Sequence, residues 1–232
     1  FGQLKDSLNL AKLAIKINNK NETLWTILAE TQIANKLYDD ALISLKNAQK
    51  INPKMGEIYI AKSTIYLKQS KIKEAKIALQ NGLQIESKNY QAIFQLGNIF
   101  LMENNYQSAI EEFGKAIQIK PDFWQAINNQ GLAFYELNKI SISTNLFKKA
   151  IAIEENAEPL LALASCLKNY DINEAILLAK KALLKDPKYV AYKYRKDQLW
   201  GAKLQKSTEQ LFQNKNLHDE IMIAKTKTNE TS

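Results

Sequence analysis

The sequence predicts an all-α protein: a solenoid of antiparallel helix pairs repeated at a fixed period. Three observations predict it. First, small residues recur in register. Ala14, Ala48, Gly82, Ala116, Ala150 and Ala182 form one ladder; Ser7, Ala41, Ala75, Ala109, Ser143 and Ala175 a second; Ala29, Ser63, Gly97, Gly131 and Ala164 a third. Every step is 34 except the last of each ladder, which is 32 or 33. Second, Pro53 and Pro121 stand two full periods apart, and Pro187 follows slightly short of two more. Third, the apolar spacing between the ladders is helical, as in Ile93-Leu96-Gly97-Phe100 and Tyr106-Ala109-Phe113-Ala116. No segment sustains the alternation of a strand.

Residues 1–21 read as the second helix of an incomplete repeat. Five units follow at 22–55, 56–89, 90–123, 124–156 and 157–189, each with room for two helices of about a dozen residues. Asn104, Asn105 and Asn138 mark the turn inside a pair, and the prolines mark the exit from its second helix, which proline cannot continue. Asp171 followed by Glu174 reads as a capping box. The fifth unit is one residue short between its helices, and the linker before it is also one short. The small residues fall where two helices cross most closely, so that large neighbours such as Trp25, Leu28, Tyr38 and Leu45 can interlock. Beyond Pro187 the period breaks. Residues 190–213 are expected to form one capping helix offering Tyr192, Leu199, Leu204 and Leu211 to the last repeat. Residues 214–232 are expected to be a largely disordered tail, most clearly over 225–232.

The unit 90–123 carries Leu96-Gly97, Phe100, Tyr106, Ala109, Phe113, Ala116 and Pro121; the unit 22–55 carries Trp25, Leu28-Ala29, Tyr38, Ala41, Leu45, Ala48 and Pro53. These units resemble tetratricopeptide repeats. The resemblance implies a right-handed superhelix whose first helices line a concave face that holds an extended or helical peptide. The stretch from Lys196 to Leu211 also resembles C-terminal helices of cyanobacterial and plastid members, which implies a factor aiding assembly of a membrane complex.

In the register of the family, the concave face would present Ile60, Thr64 and Leu67, then Phe94, Asn98 and Leu101. Asn128, Asn129, Leu132 and Tyr135 would follow, and then Leu161 and Ser165. An apolar middle with amides at intervals suits a peptide or helix of another protein, with hydrophobic anchors and a backbone needing hydrogen bonds. The competing reading is that these leucines pack against neighbouring helices. Some members clamp a C-terminal carboxylate with lysine, asparagine and arginine on successive first helices. Asn98 and Asn129 occupy the two asparagine places, but Phe94, Glu158 and Ala162 stand where cations belong, which argues against such a clamp.

Charge offers a second candidate. The formal net charge is +8, yet Arg195 is the only arginine among 32 cations. The near absence of a rigid phosphate fork argues against nucleic acid, and codon bias toward lysine explains the excess. From Lys180 to Lys206 there are nine cations against Asp186 and Asp197, interleaved with Tyr189, Tyr192, Tyr194 and Trp200. Lys188, Lys193, Arg195, Lys196 and Lys203 could therefore grip an anionic membrane surface, an acidic protein or RNA, or simply be the solvated face of the cap.

Counting excludes much else. One cysteine and one histidine permit no internal disulfide and no closed zinc site. No glycine belongs to a phosphate-loop pattern, and no apolar run approaches a membrane span. No catalysis, cofactor, metal or small-molecule substrate is expected. Cys166 reads as a packed thiol and His218 as a surface residue. The expected location is cytoplasmic, or membrane-peripheral if an anchor once preceded Phe1. The apolar edge of residues 1–21 makes self-association a further expectation.

Overall fold

The computed structural model describes residues 2–229, all helix and turn without a strand among them. It divides into two compact units, one up to Leu96 and one from Gly97.

The first unit opens with α1 (Gly2–Ile17), followed by the pairs α2 (Glu22–Ala34) with α3 (Tyr38–Ile51) and α4 (Gly56–Lys68) with α5 (Ile72–Ile85). Helix α6 (Tyr90–Met102) begins here. Each pair packs against itself, and α2 also meets α1 and α4. Ala29, Ala41, Leu45, Ala48, Ile58 and Ile65 form one buried cluster, with Trp25, Tyr38 and Tyr59 packed on it. Leu8 and Ala11 of α1 pack with Leu28, while Leu10 and Ile17 remain exposed.

The second unit holds α7 (Tyr106–Ile119), α8 (Trp124–Glu136), α9 (Ile140–Ile153), α10 (Ala157–Leu167) and α11 (Ile172–Lys185). Two glycines are set by close approach. A Cβ on Gly97 would lie 2.6 Å from Phe113 Cε1, and one on Gly131 2.8 Å from Phe147 Cε1. Asp171 caps α11, its Oδ1 accepting from the Glu174 N–H at 3.0 Å.

The turns inside the pairs share one geometry. Lys36, Ser70, Asn104 and Asn138, which stand one period apart in succession, have φ between 56° and 60°. The following N–H closes each turn onto a carbonyl five residues back: Leu37 to Gln32, Lys71 to Tyr66, Asn105 to Phe100 and Lys139 to Phe134. Asparagine signals this left-handed residue in sequence; lysine and serine do not, because the helix crossing imposes the conformation on whatever stands there. The fifth pair, one residue shorter, turns without a positive φ among its described residues.

The C-terminal region departs from the expectation of one helix over 190–213. A 3-10 turn (Pro187–Val190) leads to the short α12 (Tyr192–Asp197), and after a break comes α13 (Ala202–Phe212). The break repeats the turn geometry of the pairs: Leu199 has φ 67°, and the Trp200 N–H bonds the Arg195 carbonyl at 3.1 Å. It exists because α13 does not continue along the solenoid edge. It folds back across α10 and α8. Nor are residues 214–232 a disordered tail throughout. A 3-10 turn (Lys215–Leu217) and α14 (His218–Asn229) pack on α11, burying Leu217, Ile221 and Ala224. Residues 230–232 of the expected tail lie outside the described residues.

Candidate functional site

Two first-helix faces can be described, one in each unit, and they differ in what covers them. In the first unit, α2 and α4 border an open cleft of about 390 Å³ lined by Glu30, Ile33, Glu57, Ile60, Ala61, Thr64, Asn89 and Gln91. The helices are fixed at their N-termini. Asn21 Oδ1 accepts from the N–H groups of Thr23 (2.9 Å) and Leu24 (3.3 Å), and Glu86 accepts from the Gly56 N–H at 2.9 Å. A Cβ at position 56 would meet the Glu86 carboxyl carbon at 2.5 Å, so a side chain there would displace the Glu86 carboxylate from its bond to the N–H. Of the expected groove residues, Ile60 and Thr64 line this cleft, half-buried; Thr64 Oγ1 donates to the Ile60 carbonyl at 3.1 Å. Leu67 and Phe94 are half-buried but do not line it. Glu30 and Glu57 are the charged residues of the lining, so the cleft combines aliphatic side chains with two acids.

In the second unit the expected groove is already filled. Asn128, Leu132, Leu161 and Ser165 are at most 1% exposed, and Leu101, Asn129 and Tyr135 are also buried. The expectation of an open peptide-binding face here is corrected by the position of α13. Ser165 Oγ and Thr208 Oγ1 lie 2.7 Å apart, and Ser207 Oγ donates to the Ser165 carbonyl at 2.8 Å. Leu204 and Leu211 of α13 are buried on the same stripe. Glu136, at the end of α8, caps α13: its carboxylate accepts from the N–H groups of Lys203 (3.2 Å) and Leu204 (3.0 Å). Gly201 leaves room for it, because a Cβ there would push that carboxylate from its place. The two asparagines of the supposed clamp bond one another, Asn129 Nδ2 donating to Asn98 Oδ1 at 2.8 Å.

Trp200 anchors the fold-back. It is 4% exposed, and its Nε1 donates to Glu158 Oε1 at 3.0 Å. Burial pushes the Glu158 carboxyl up to about 7, against the lowering effect of bonds from Trp200, Asn128 and Tyr189. Asn128 Oδ1 is buried without a hydrogen-bond partner. The Cys166 thiol, also buried, is pushed up to about 11 by its apolar surroundings.

The basic segment is only partly a charged surface. Arg195 is wholly buried, a correction to its place in the expected patch. Its guanidinium donates to Gln205 Oε1 (2.8 Å), to the carbonyls of Tyr189 (2.6 Å) and Val190 (2.9 Å), and to Glu209, and it lies over the Phe212 ring. Arg195 therefore ties α12 to α13. Lys180 pairs with Glu220, and Lys181 and Lys185 share Glu155. Lys188, Lys193, Lys196 and Lys203 are exposed.

Sequence reasoning missed Glu136, Trp200, Gly201, Ser207 and Thr208. The signal was present: Leu204, Ser207, Thr208 and Leu211 form an i, i+3, i+4, i+7 stripe, and Trp200-Gly201 interrupts the longer helix. No helix among the described residues is long and apolar enough to cross a membrane. No group of three or more metal-ligating side chains is found among them either.

The family described as TPR repeat matches residues 97–138, which contain α7, α8 and the turn residues Asn104 and Asn138. That segment is a tetratricopeptide repeat, and the pairs before it share its period and turn geometry. Solved structures agree. MamA is 26% identical, over 66% of this chain and 90% of its own, with a TM-score of 0.58. YrrB, described as a TPR protein with an unusual peptide-binding site, is 15% identical over 81% and 97%, with a TM-score of 0.63. PilF of Pseudomonas aeruginosa is 18% identical over 89% and 97%, with a TM-score of 0.64. No curated protein matches the sequence.

Proposed function

We propose that this tetratricopeptide-repeat chain is a non-catalytic scaffold that holds a segment of a partner protein in the cleft bordered by α2 and α4. The observation that carries the reading is the contrast between the two faces: the cleft at Ile60 and Thr64 is open, whereas the face of α8 and α10 is filled by the chain's own α13. That intramolecular seating is a working example of helix recognition by such a face. The described peptide-binding site of YrrB, a protein of the same fold, lends the reading further support. The partner segment carries an aliphatic anchor for Ile33, Ile60 and Ala61, and a lysine or arginine for Glu30 and Glu57. Because the helices are already packed, binding orders mainly the ligand.

A second reading has its own observation: Lys188, Lys193 and Lys196 are exposed and make no ion pair among the described residues, so an anionic surface could dock there. One experiment separates them. Affinity capture from source cells is run with the wild type, with Glu30→Lys/Glu57→Lys/Ile60→Ala, and with Lys188→Glu/Lys193→Glu/Lys196→Glu. A partner protein lost only with the cleft variant, and binding again as a synthetic peptide, is the expected result. Loss only with the lysine variant, with steep weakening by salt, would transfer the function to the C-terminal surface.

A further inference from the structure

Beside the seated α13 lies a second cavity, of about 270 Å³, which none of the readings above uses. Its walls are the end of α8 with the start of α9, the end of α10 with the turn after it, and α13. Three lysines line it, Lys168, Lys203 and Lys206, and no aspartate or glutamate does. None of the three makes an ion pair among the described residues. Lys168 Nζ donates to Asn169 Oδ1 at 3.2 Å and Lys203 Nζ to the Glu136 carbonyl at 2.6 Å, so the hydrogen-bond acceptors of these two ammonium groups are neutral. The Glu136 carboxylate is bonded to the first turn of α13, and its charge is felt at Tyr135 in the lining. One hydroxyl donor lies in the same lining, that of Tyr135, which is 8% exposed; the Ser207 hydroxyl beside it is already donated to the Ser165 carbonyl. Burial raises the Tyr135 phenol above its ordinary value, so it stays protonated and able to donate.

We propose that this pocket binds a phosphate monoester, with the ammonium groups of Lys168, Lys203 and Lys206 as counter-charges and the hydroxyl of Tyr135 as a donor. A carboxylate matches less of the site. It offers one charge and two oxygens, where a phosphate monoester brings nearly two charges and three strongly accepting oxygens. The cavity has room for that group together with part of its carrier. Because Lys168 comes from the turn after α10 while Lys203 and Lys206 come from α13, a bound phosphate bridges the two and fastens the folded-back helix. Two sources share this chemistry: a free phosphate compound, or a phosphorylated side chain of a protein partner.

The test is an NMR titration of the whole chain at constant ionic strength, with inorganic phosphate in one arm, N-acetyl-phosphoserine amide in another and chloride as control. The expected result is a saturable shift of amide signals around Asn169 and Ser207 with the phosphate probes and none with chloride. Melting temperature should rise with phosphate concentration. Tighter binding of the phosphoserine probe identifies a phosphorylated protein as the source, and equal binding a free phosphate compound. Lys168→Met/Lys206→Met changes no ion pair, should melt at the wild-type temperature without phosphate, and should bind at least tenfold more weakly. Tyr135→Phe should bind more weakly as well. Linear, unsaturated shifts at tens of millimolar phosphate, or equal affinity in wild type and the lysine variant, would overturn the proposal.

Discussion

Substituting Gly97 by alanine tests the packing logic of the repeats most directly. The new methyl would lie 2.6, 2.8 and 3.0 Å from Cε1, Cδ1 and Cζ of Phe113, where ordinary carbon contacts are about 3.5–4.0 Å. Phe113 is wholly buried, so its ring must shift by most of an ångström against packed neighbours. Overpacking of this kind costs about 1–3 kcal/mol. Alanine regains about 1 kcal/mol of helix propensity, leaving a net destabilisation of about 1 kcal/mol. Register supplies the control. At the same crossing in other pairs Ala29 stands with Leu45 and Ser63 with Leu79, whereas the two glycines, Gly97 and Gly131, stand with Phe113 and Phe147. Phe113→Leu should therefore accommodate the methyl. By urea unfolding, Gly97→Ala/Phe113→Leu should be more stable than the sum of the single variants by about 1–3 kcal/mol. Additivity within about 0.5 kcal/mol would refute the idea that glycine and phenylalanine are chosen for one another.

Four other perturbations test the C-terminal region. Glu158 has its carboxyl raised in the folded chain to about 7 from 4.5. Its protonated form thus contributes stability that is complete below pH 4.5 and lost as pH rises through 7, up to about 3 kcal/mol; melting temperature should fall between pH 5 and 8, and Glu158→Gln should flatten that fall. Arg195→Met leaves the acceptors of a buried guanidinium unpaired and should cost about 3–5 kcal/mol locally, read as lost amide protection over 187–217. Lys193→Glu/Lys196→Glu should stay within about 0.5 kcal/mol of wild type. A chain ending at Asp197 should bind a hydrophobic dye and associate in sedimentation, because Leu132, Leu161 and Ser165 lose their cover. An unchanged monomer without dye binding would show that α13 does not protect them.

The helix pairs were legible because their spacing is a packing rule: Ala41, Ala75 and Ala109 are small for one shared reason, and period reveals shared reasons. The left-handed turns were half legible, through Asn104 and Asn138, since Lys36 and Ser70 take the conformation without a residue that prefers it. Which face stays open was not legible at all. Leu161 holds the register place of Ile60 and Leu132 that of Thr64, and only the docking of α13, a helix far along the chain from either, distinguishes the two faces. Arg195 was misread for a related reason. A lone arginine among lysines resembles more of the same surface, while its fork of donors is what a buried hub of carbonyls and carboxamide requires.

A covalently attached occupant changes the arithmetic of competition on the face of α8 and α10. If seating α13 is worth about 3 kcal/mol, the bare face exists in fewer than about one molecule in a hundred, and an outside helix binds it about 150-fold more weakly than its contacts alone would allow. Short linkage, across Gln198–Gly201, keeps the tethered helix at an effective concentration in the millimolar range, so dilution does not help the competitor. If the cleft of Ile60 holds a partner segment as proposed, two thresholds result: modest affinity suffices there, while entry beside Leu161 is reserved for a helix that outbids the one already attached.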